Sequence, residues 1–387
     1  LQKSDTLDLN ILASFDKMLN AELEFNLAMK SNDQAGPGAA FSLSKNNVFK
    51  GGETWEINLR GAYEWQTGKK SEKNSLMNSY ELGVSSSLTI PRLLFPTLRK
   101  NEYEFRTTPI LKLYVDQLNR AKYYKILSFG GNVSYDWKPK PTTRHQFTPL
   151  NLNFTLLQHT TARFDSIIDE NKMLAISMQN QFIPKMEYTY TYDNTPTRGR
   201  IRKNQIWWQT TLSSSGNITS LAYKAFGQDF SKKDKEFLGA PFAQFLKINT
   251  ELRYTWNFSP NQSLVARFIG GVITSYGNSQ VSPYTEQFYI GGANSIRAYT
   301  VRSIGPGSYH PGERGRYTFI DQTGDLRLEA NLEYRFPIVG NLRGALFLDA
   351  GNVWLLRNDE GRPGAKFNVK NFADEIALGT GFGVRYD

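Results

Sequence analysis

The chain has 387 residues, no cysteine, three histidines and a formal net charge of +10. Disulfides and thiolate metal sites are excluded, and His145, His159 and His310 stand far apart in sequence, which leaves metal or triad chemistry poorly supplied. The basic residues are scattered or sit in short turns, which argues against a nucleic-acid face, and no apolar run reaches the ~18 residues of a membrane helix.

The first residues, Leu1 to Asp5, carry no signal-peptide core. Either a signal has been removed or the chain is the C-terminal part of something longer. Leu7 to Ile11 reads as the end of a preceding element. From there, period-two alternation dominates. Ala21, Leu23, Phe25, Leu27 and Met29 alternate with Glu22, Glu24 and Asn26. A turn is expected from Asn32 to Gly38, a return strand from Ala39, and a second turn at Asn47 to Gly52. Trp55, Ile57, Leu59, Tyr63 and Trp65 then face one way, and Glu56, Asn58, Arg60 and Glu64 the other. Strands of the same kind follow around Leu82, Leu113, Phe129, Leu152 and Tyr190. Thr161 to Gln179 lacks alternation and is expected to hold a short helix.

Asn204 to Gly216 is strand-like, with Trp207 and Trp208 interrupting the pattern, and Ser220 to Ala243 reads as a long charged loop. Leu252 to Phe258 and Leu264 to Val272 flank a tight turn at Ser259 to Gln262. Beyond a long loop, about 277–325, come Leu326 to Phe336, a turn at Pro337 to Asn341, the run Leu342 to Asp349, and a closing strand from Ile376 to Tyr386. The alternation rule counts about fourteen strands.

Hairpin ends alternate short and long, the asymmetry of outer-membrane barrels. The strands are near the ~9–11 residues that cross a bilayer at a tilt. Their polar faces carry both signs of charge, and aromatics gather at strand ends (Trp55, Trp65, Trp137, Tyr192, Phe336). A soluble β-sandwich would hide the apolar face instead. These features together predict an all-β fold: a transmembrane, antiparallel, up-and-down β-barrel.

Within the long loop lies Gln287 to Tyr299, with adjacent Gly291 and Gly292 and a lone Arg297 between Ile296 and Ala298-Tyr299. Guanidinium binds carboxylate in a fixed fork. Parity places Glu333 and Asp349 on the polar faces of neighbouring strands. Arg297, Asp349 and Glu333 are therefore expected to lock the loop to the lumen wall.

These residues resemble motifs of the BamA/TamA superfamily of outer-membrane insertases, the bacterial surface antigen family. Ile296-Arg297-Ala298-Tyr299 is similar to that family's Val-Arg-Gly-Phe/Tyr loop motif, with Ala298 in place of the glycine. Phe347 to Gly351 resembles its aromatic-x-Asp-x-Gly strand, Leu332-Glu333-Tyr334 its Leu-Glu-Phe, and Asn47 to Glu53 its Asn-Leu-Phe turn. The resemblance implies a barrel of about sixteen strands, preceded by periplasmic domains. Residues 1–14 are then the end of such a domain or linker, and 15–387 a barrel lacking its last hairpin. It further implies a Gram-negative outer membrane and a non-enzymatic function without cofactor: folding and inserting client β-barrel proteins through a lateral seam, with no nucleotide hydrolysis. The partners would be outer-membrane lipids, unfolded clients and accessory assembly proteins. A secretion channel for a partner protein and a passive porin are the alternatives.

Overall fold

In the computed structural model of the protein, the described residues are 17–29, 34–66, 79–91, 108–120, 123–170, 172–195, 202–227, 235–237, 239–310 and 322–386. Residues 1–14, expected to end a preceding domain, lie outside them. The first strands are β1 (Leu19–Met29), β2 (Gln34–Asn46), β3 (Thr54–Gln66), β4 (Ser79–Thr89), β5 (Thr108–Arg120), β6 (Tyr124–Lys140) and β7 (Thr143–Thr160). Helices α1 (Ala162–Glu170) and α2 (Lys172–Ser177) precede β8 (Gln181–Asp193) and β9 (Asn204–Ser215). Helix α3 (Asn217–Ala225) and a small hairpin, β10 (Glu236–Phe237) and β11 (Ala240–Pro241), lead into β12 (Phe245–Ser259). Then come β13 (Gln262–Ser275), β14 (Leu326–Val339), β15 (Leu342–Trp354) and β16 (Ala377–Tyr386).

All strands but β10 and β11 form one 14-stranded sheet in which each pairs antiparallel with the next in the chain. Among the described residues no helix is long and apolar enough to cross a membrane. Residue parity decides what each face presents. The register aligns Leu23, Phe41, Leu59, Val84, Val115, Phe129 and Phe154 in one unbroken apolar row across β1 to β7. Leu59 and Val115 remain 43% and 49% exposed, as a lipid-facing row must. The other face is polar. There Arg60 pairs with Glu81 at 3.1 Å and Asp116 at 2.9 Å, and Glu56, Asn58, Lys112 and Tyr114 help line a cavity of about 450 Å³. The apolar side is therefore outside and the polar side inside, which is the arrangement of a membrane barrel.

The same inner face of widely separated strands meets one loop. The described part of this loop touches β8 and β12 through Glu286, β15 through Arg297 and β16 through Tyr299. The sheet is thus curled around this loop. Among the described residues no pairing joins β1 to β16. At the short-turn end, Phe258, Tyr334, Phe336 and Phe382 form an outer aromatic ladder with centroid steps of 6.0, 5.4 and 6.4 Å. His145 belongs to a similar girdle: its ring stacks on Trp137 at 5.1 Å, and Nδ1 lies 2.7 Å from the Tyr188 hydroxyl.

Four local expectations change. The expected turn at Asn32 to Gly38 is shorter, because β2 already starts at Gln34 and Ala35 pairs with Met29. The segment after β7 holds two helices rather than one. Trp207 and Trp208 do not interrupt β9; they occupy opposite faces, Trp207 under the Arg253 guanidinium at 4.6 Å and Trp208 outside. Ser220 to Ala243 is not simply a charged loop, since most of α3 and the β10–β11 hairpin lie within it.

Candidate functional site: a loop anchored in the lumen

The long loop turns sharply at Gly291 and Gly292, with φ of 103° and 95°. A Cβ on Gly291 would lie 2.1 Å from the Thr300 carbonyl, so only glycine fits. The turn is pinched by Gly292 N–H donating to Tyr299 O (2.8 Å) and Arg302 N–H donating to Ile290 O (2.9 Å). Between these bonds, residues 293–299 are held out toward β14, β15 and β16. Ile296 is 0% exposed in a cluster with Ile273, Phe288, Ile290 and Val353. That burial fixes the position of the next residue.

Arg297 reaches the wall. Its Nε donates to Asp349 Oδ2 at 2.9 Å, its Nη2 to Oδ1 at 2.8 Å, and its backbone N–H to Oδ2 at 3.0 Å. Nη1 donates to Glu333. The Phe347 ring lies 3.7 Å from the guanidinium carbon, a cation–π contact. Asp349 is 0% exposed, and Asn331 Nδ2 donates to its Oδ1 at 2.9 Å. Arg335 Nε takes the other oxygen of Glu333 at 2.7 Å. The hydrogen bond to Asp349, opposed by partial burial and aided by Glu333, holds the Arg297 pKa above its ordinary value.

The flanking residues complete the fit. Ala298 packs on β16 where Gly379 leaves room: a Cβ there would lie 2.8 Å from the Ala298 methyl. Tyr299 Oη donates to Leu378 O at 3.3 Å. Ser295 Oγ donates to Glu329 Oε2 at 2.7 Å, and Glu329 is flanked by Arg327 at 2.8 Å and Arg267 at 3.5 Å. The structure thus brings together Arg297, Asp349 and Glu333, with Gly291, Gly292, Ile296, Ala298 and Tyr299 shaping the loop around them.

A second anchor was not read from the sequence. Glu286 Oε1 accepts from Lys185 Nζ of β8 at 2.7 Å, and its Oε2 accepts from Lys247 Nζ of β12 at 3.0 Å. Burial works against ionisation of Glu286, but the two ammonium groups overcome it and hold the carboxyl below its usual range. Parity already places Lys185 and Lys247 on inner faces. The loop glutamate has no flanking glycine or motif to mark it. Among the described residues no cluster of His, Asp and Glu has a metal-holding arrangement.

This geometry defines a class: a membrane β-barrel with one of its own loops inside, tied to β8 and β12 and to β14 and β15 by largely buried ion pairs. The Omp85 superfamily domain matches residues 47–387, and the chain belongs to the Omp85 superfamily. Its place is the outer membrane of a Gram-negative bacterium. It is 34% identical over 152 residues to the outer membrane protein assembly factor BamA of Nitratidesulfovibrio vulgaris, covering 35% of this chain and 18% of that one. To the human sorting and assembly machinery component 50 homolog it is 31% identical over 147 residues, covering 36% of this chain and 29% of that one. The crystal structure of BamA from Haemophilus ducreyi lacking POTRA domains 1–3 superposes on 95% of this chain and 64% of that chain, with a TM-score of 0.59 at 13% identity. The chain matches less than a third of the length of these sequence relatives.

Proposed function

We propose that this barrel folds and inserts client β-barrel proteins into the outer membrane, using an edge of its own sheet as the template. The observation that carries the reading is the loop anchored to β14, β15 and β16 on the inner face of a sheet whose β1, among the described residues, pairs only with β2. An unpaired strand edge facing lipid leaves N–H and C=O groups that only another strand can satisfy. A client strand adds by β-augmentation. The loop, held by Arg297, Asp349 and Glu333, keeps β14 to β16 in a fixed shape while the β1 edge receives the client. The client's own burial of backbone and apolar surface supplies the driving force, so no nucleotide is hydrolysed. One relative is named an outer membrane protein assembly factor and another a sorting and assembly machinery component, and both names support this reading. Clients, outer-membrane lipids and accessory assembly proteins are the proposed partners, and a preceding periplasmic domain would deliver the client.

The test is site-specific cross-linking. A photoreactive residue at Phe25, on the 75%-exposed outer side of β1, should capture an unfolded barrel protein added to proteoliposomes, and one at Leu252 in the middle of the sheet should not. Equal capture at both positions, or none at Phe25, contradicts the template. Capture of a folded, secreted partner instead would support the secretion channel.

A further inference from the structure

Helix α3 and the β10–β11 hairpin, between β9 and β12 in the chain, lie on the outer side of the sheet. Phe154 and Phe182 are register partners on the lipid-facing side, and Phe237 of the β10–β11 hairpin stacks on Phe182 at 5.0 Å and lies tilted to Phe154 at 6.4 Å. Phe242, 1% exposed, joins the same cluster, and Tyr223 of α3 packs on its ring at 5.8 Å. At the start of α3, Asn217 Nδ2 donates to Ser214 Oγ at 2.8 Å. Ser214 has the same parity as Trp208 and Leu212, which face outward. Helix α3 therefore lies against the outside of the barrel wall.

The attached face of the helix is polar and aromatic. Ser220 is 0% exposed and donates to Gln244 Oε1 at 3.2 Å. The opposite face carries Ile218, Leu221, Ala222 and Ala225, followed by Phe226 at the C-terminal end. Ile218 is 63% exposed, Leu221 62% and Phe226 87%. Spacings of three and four place the helical members of this set on one stripe. Among the described residues the stripe is exposed along its length. Leu246 and Ile248 of β12, each 46% exposed, continue an apolar outer surface beside it. Lys224, in the last turn, gives the helix an exposed cation.

We propose that α3 is an interfacial helix: Ile218, Leu221 and Phe226 sit among the acyl chains of the external leaflet, with Lys224 at the level of the lipid phosphates. The long-loop end of such a barrel is external, and a short helix with one apolar face and a basic flank lies in a membrane interface in this way. The occupant is lipid rather than a protein partner because the helix is fastened to a surface that is already lipid-facing. Its apolar stripe is continuous with that surface. Helix α3 and the β10–β11 hairpin would thus form an external collar that grips the bilayer beside β8, β9 and β12, away from the β1 edge.

The chain has no cysteine, so single spin labels report cleanly. Labels at Ile218→Cys, Leu221→Cys and Phe226→Cys would be compared, in phosphatidylethanolamine–phosphatidylglycerol vesicles, with Leu252→Cys in the lipid belt and Val369→Cys in an exposed loop. The ratio of oxygen to nickel-chelate accessibility at the three helix positions should match Leu252 and exceed Val369. Values matching Val369 would overturn the proposal. Ile218→Glu with Leu221→Glu should shift the Phe226 label to the Val369 level while a Leu252 label stays unchanged. An unchanged Phe226 label in that variant would also overturn the proposal, and the Leu252 label shows that the barrel has folded.

Discussion

Asp349 accepts three hydrogen bonds from Arg297, two from the guanidinium and one from the backbone N–H. The side-chain fork and the chain direction of the loop are therefore set by one buried carboxylate. Arg297→Ala removes the fork and leaves Asp349 with Asn331 and one backbone donor. Stripping one partner from a buried pair costs about 3–5 kcal/mol, so the loop should undock while the strands persist. Arg297→Lys should recover only part, since an ammonium cannot bridge two carboxylates in a fixed fork. The check is thiol labelling of Ser295→Cys, slow in the parent, fastest with Arg297→Ala and intermediate with Arg297→Lys.

Ala298 and Gly379 make a steric test of the same docking. Gly379→Ala would place two methyl carbons about 2.8 Å apart, closer than packed carbons sit. It should speed labelling at Ser295→Cys. Adding Ala298→Gly should return the rate toward the parent, because it removes the methyl that clashes. Failure of that second change to rescue would mean that β16 and the loop do not meet through these residues.

Glu286 predicts a pH dependence for the second anchor. Its carboxyl is held below the usual range by Lys185 and Lys247 against burial. A carboxyl lowered in the folded state contributes stability that is fully present above its unfolded value, 4.5, and is lost as pH falls through the lower folded value. Undocking of the loop should therefore steepen below about pH 4.5 in the parent. Glu286→Gln should be less stable at neutral pH and should lack that component of the acid transition. Identical pH profiles for the two proteins would remove Glu286 from the anchor.

The outer face can be tested at the middle of β3. Leu59→Arg places a charge in the lipid-facing row and should cost about 2–4 kcal/mol. Asn58→Arg, one residue away on the wet face, should be near neutral. Urea titration in lipid vesicles measures both. Equal costs would mean that the two faces have been assigned the wrong way round.

Much of this fold was legible because side-chain parity is a strict period: Leu59 outward dictates Arg60 inward, and the same rule places Glu333 and Asp349 on one face. Gly291 and Gly292 marked the loop turn: both take positive φ, and at Gly291 a side chain would meet the Thr300 carbonyl. What escaped notice depends on tertiary contact. Glu286 is an ordinary loop glutamate until β8 and β12 bring Lys185 and Lys247 to it. Helix α3 was hidden by the charges that follow it, although Ile218, Leu221, Ala222 and Ala225 carry a helical spacing. The Ala298 contact needs Gly379, 81 residues later in the sequence, and strand alternation does not reveal which residue faces which loop.

The proposed assembly function is tested most directly by client folding. The protein would be reconstituted in phosphatidylethanolamine–phosphatidylglycerol vesicles without nucleotide, and an unfolded barrel protein added. The rate at which the client becomes protease-resistant and heat-modifiable would be followed against empty vesicles. The account predicts faster client folding with the parent, a lower rate with Arg297→Ala, and a partial return with Arg297→Lys. Client folding no faster than in empty vesicles, by a parent protein whose own barrel is folded, would contradict it.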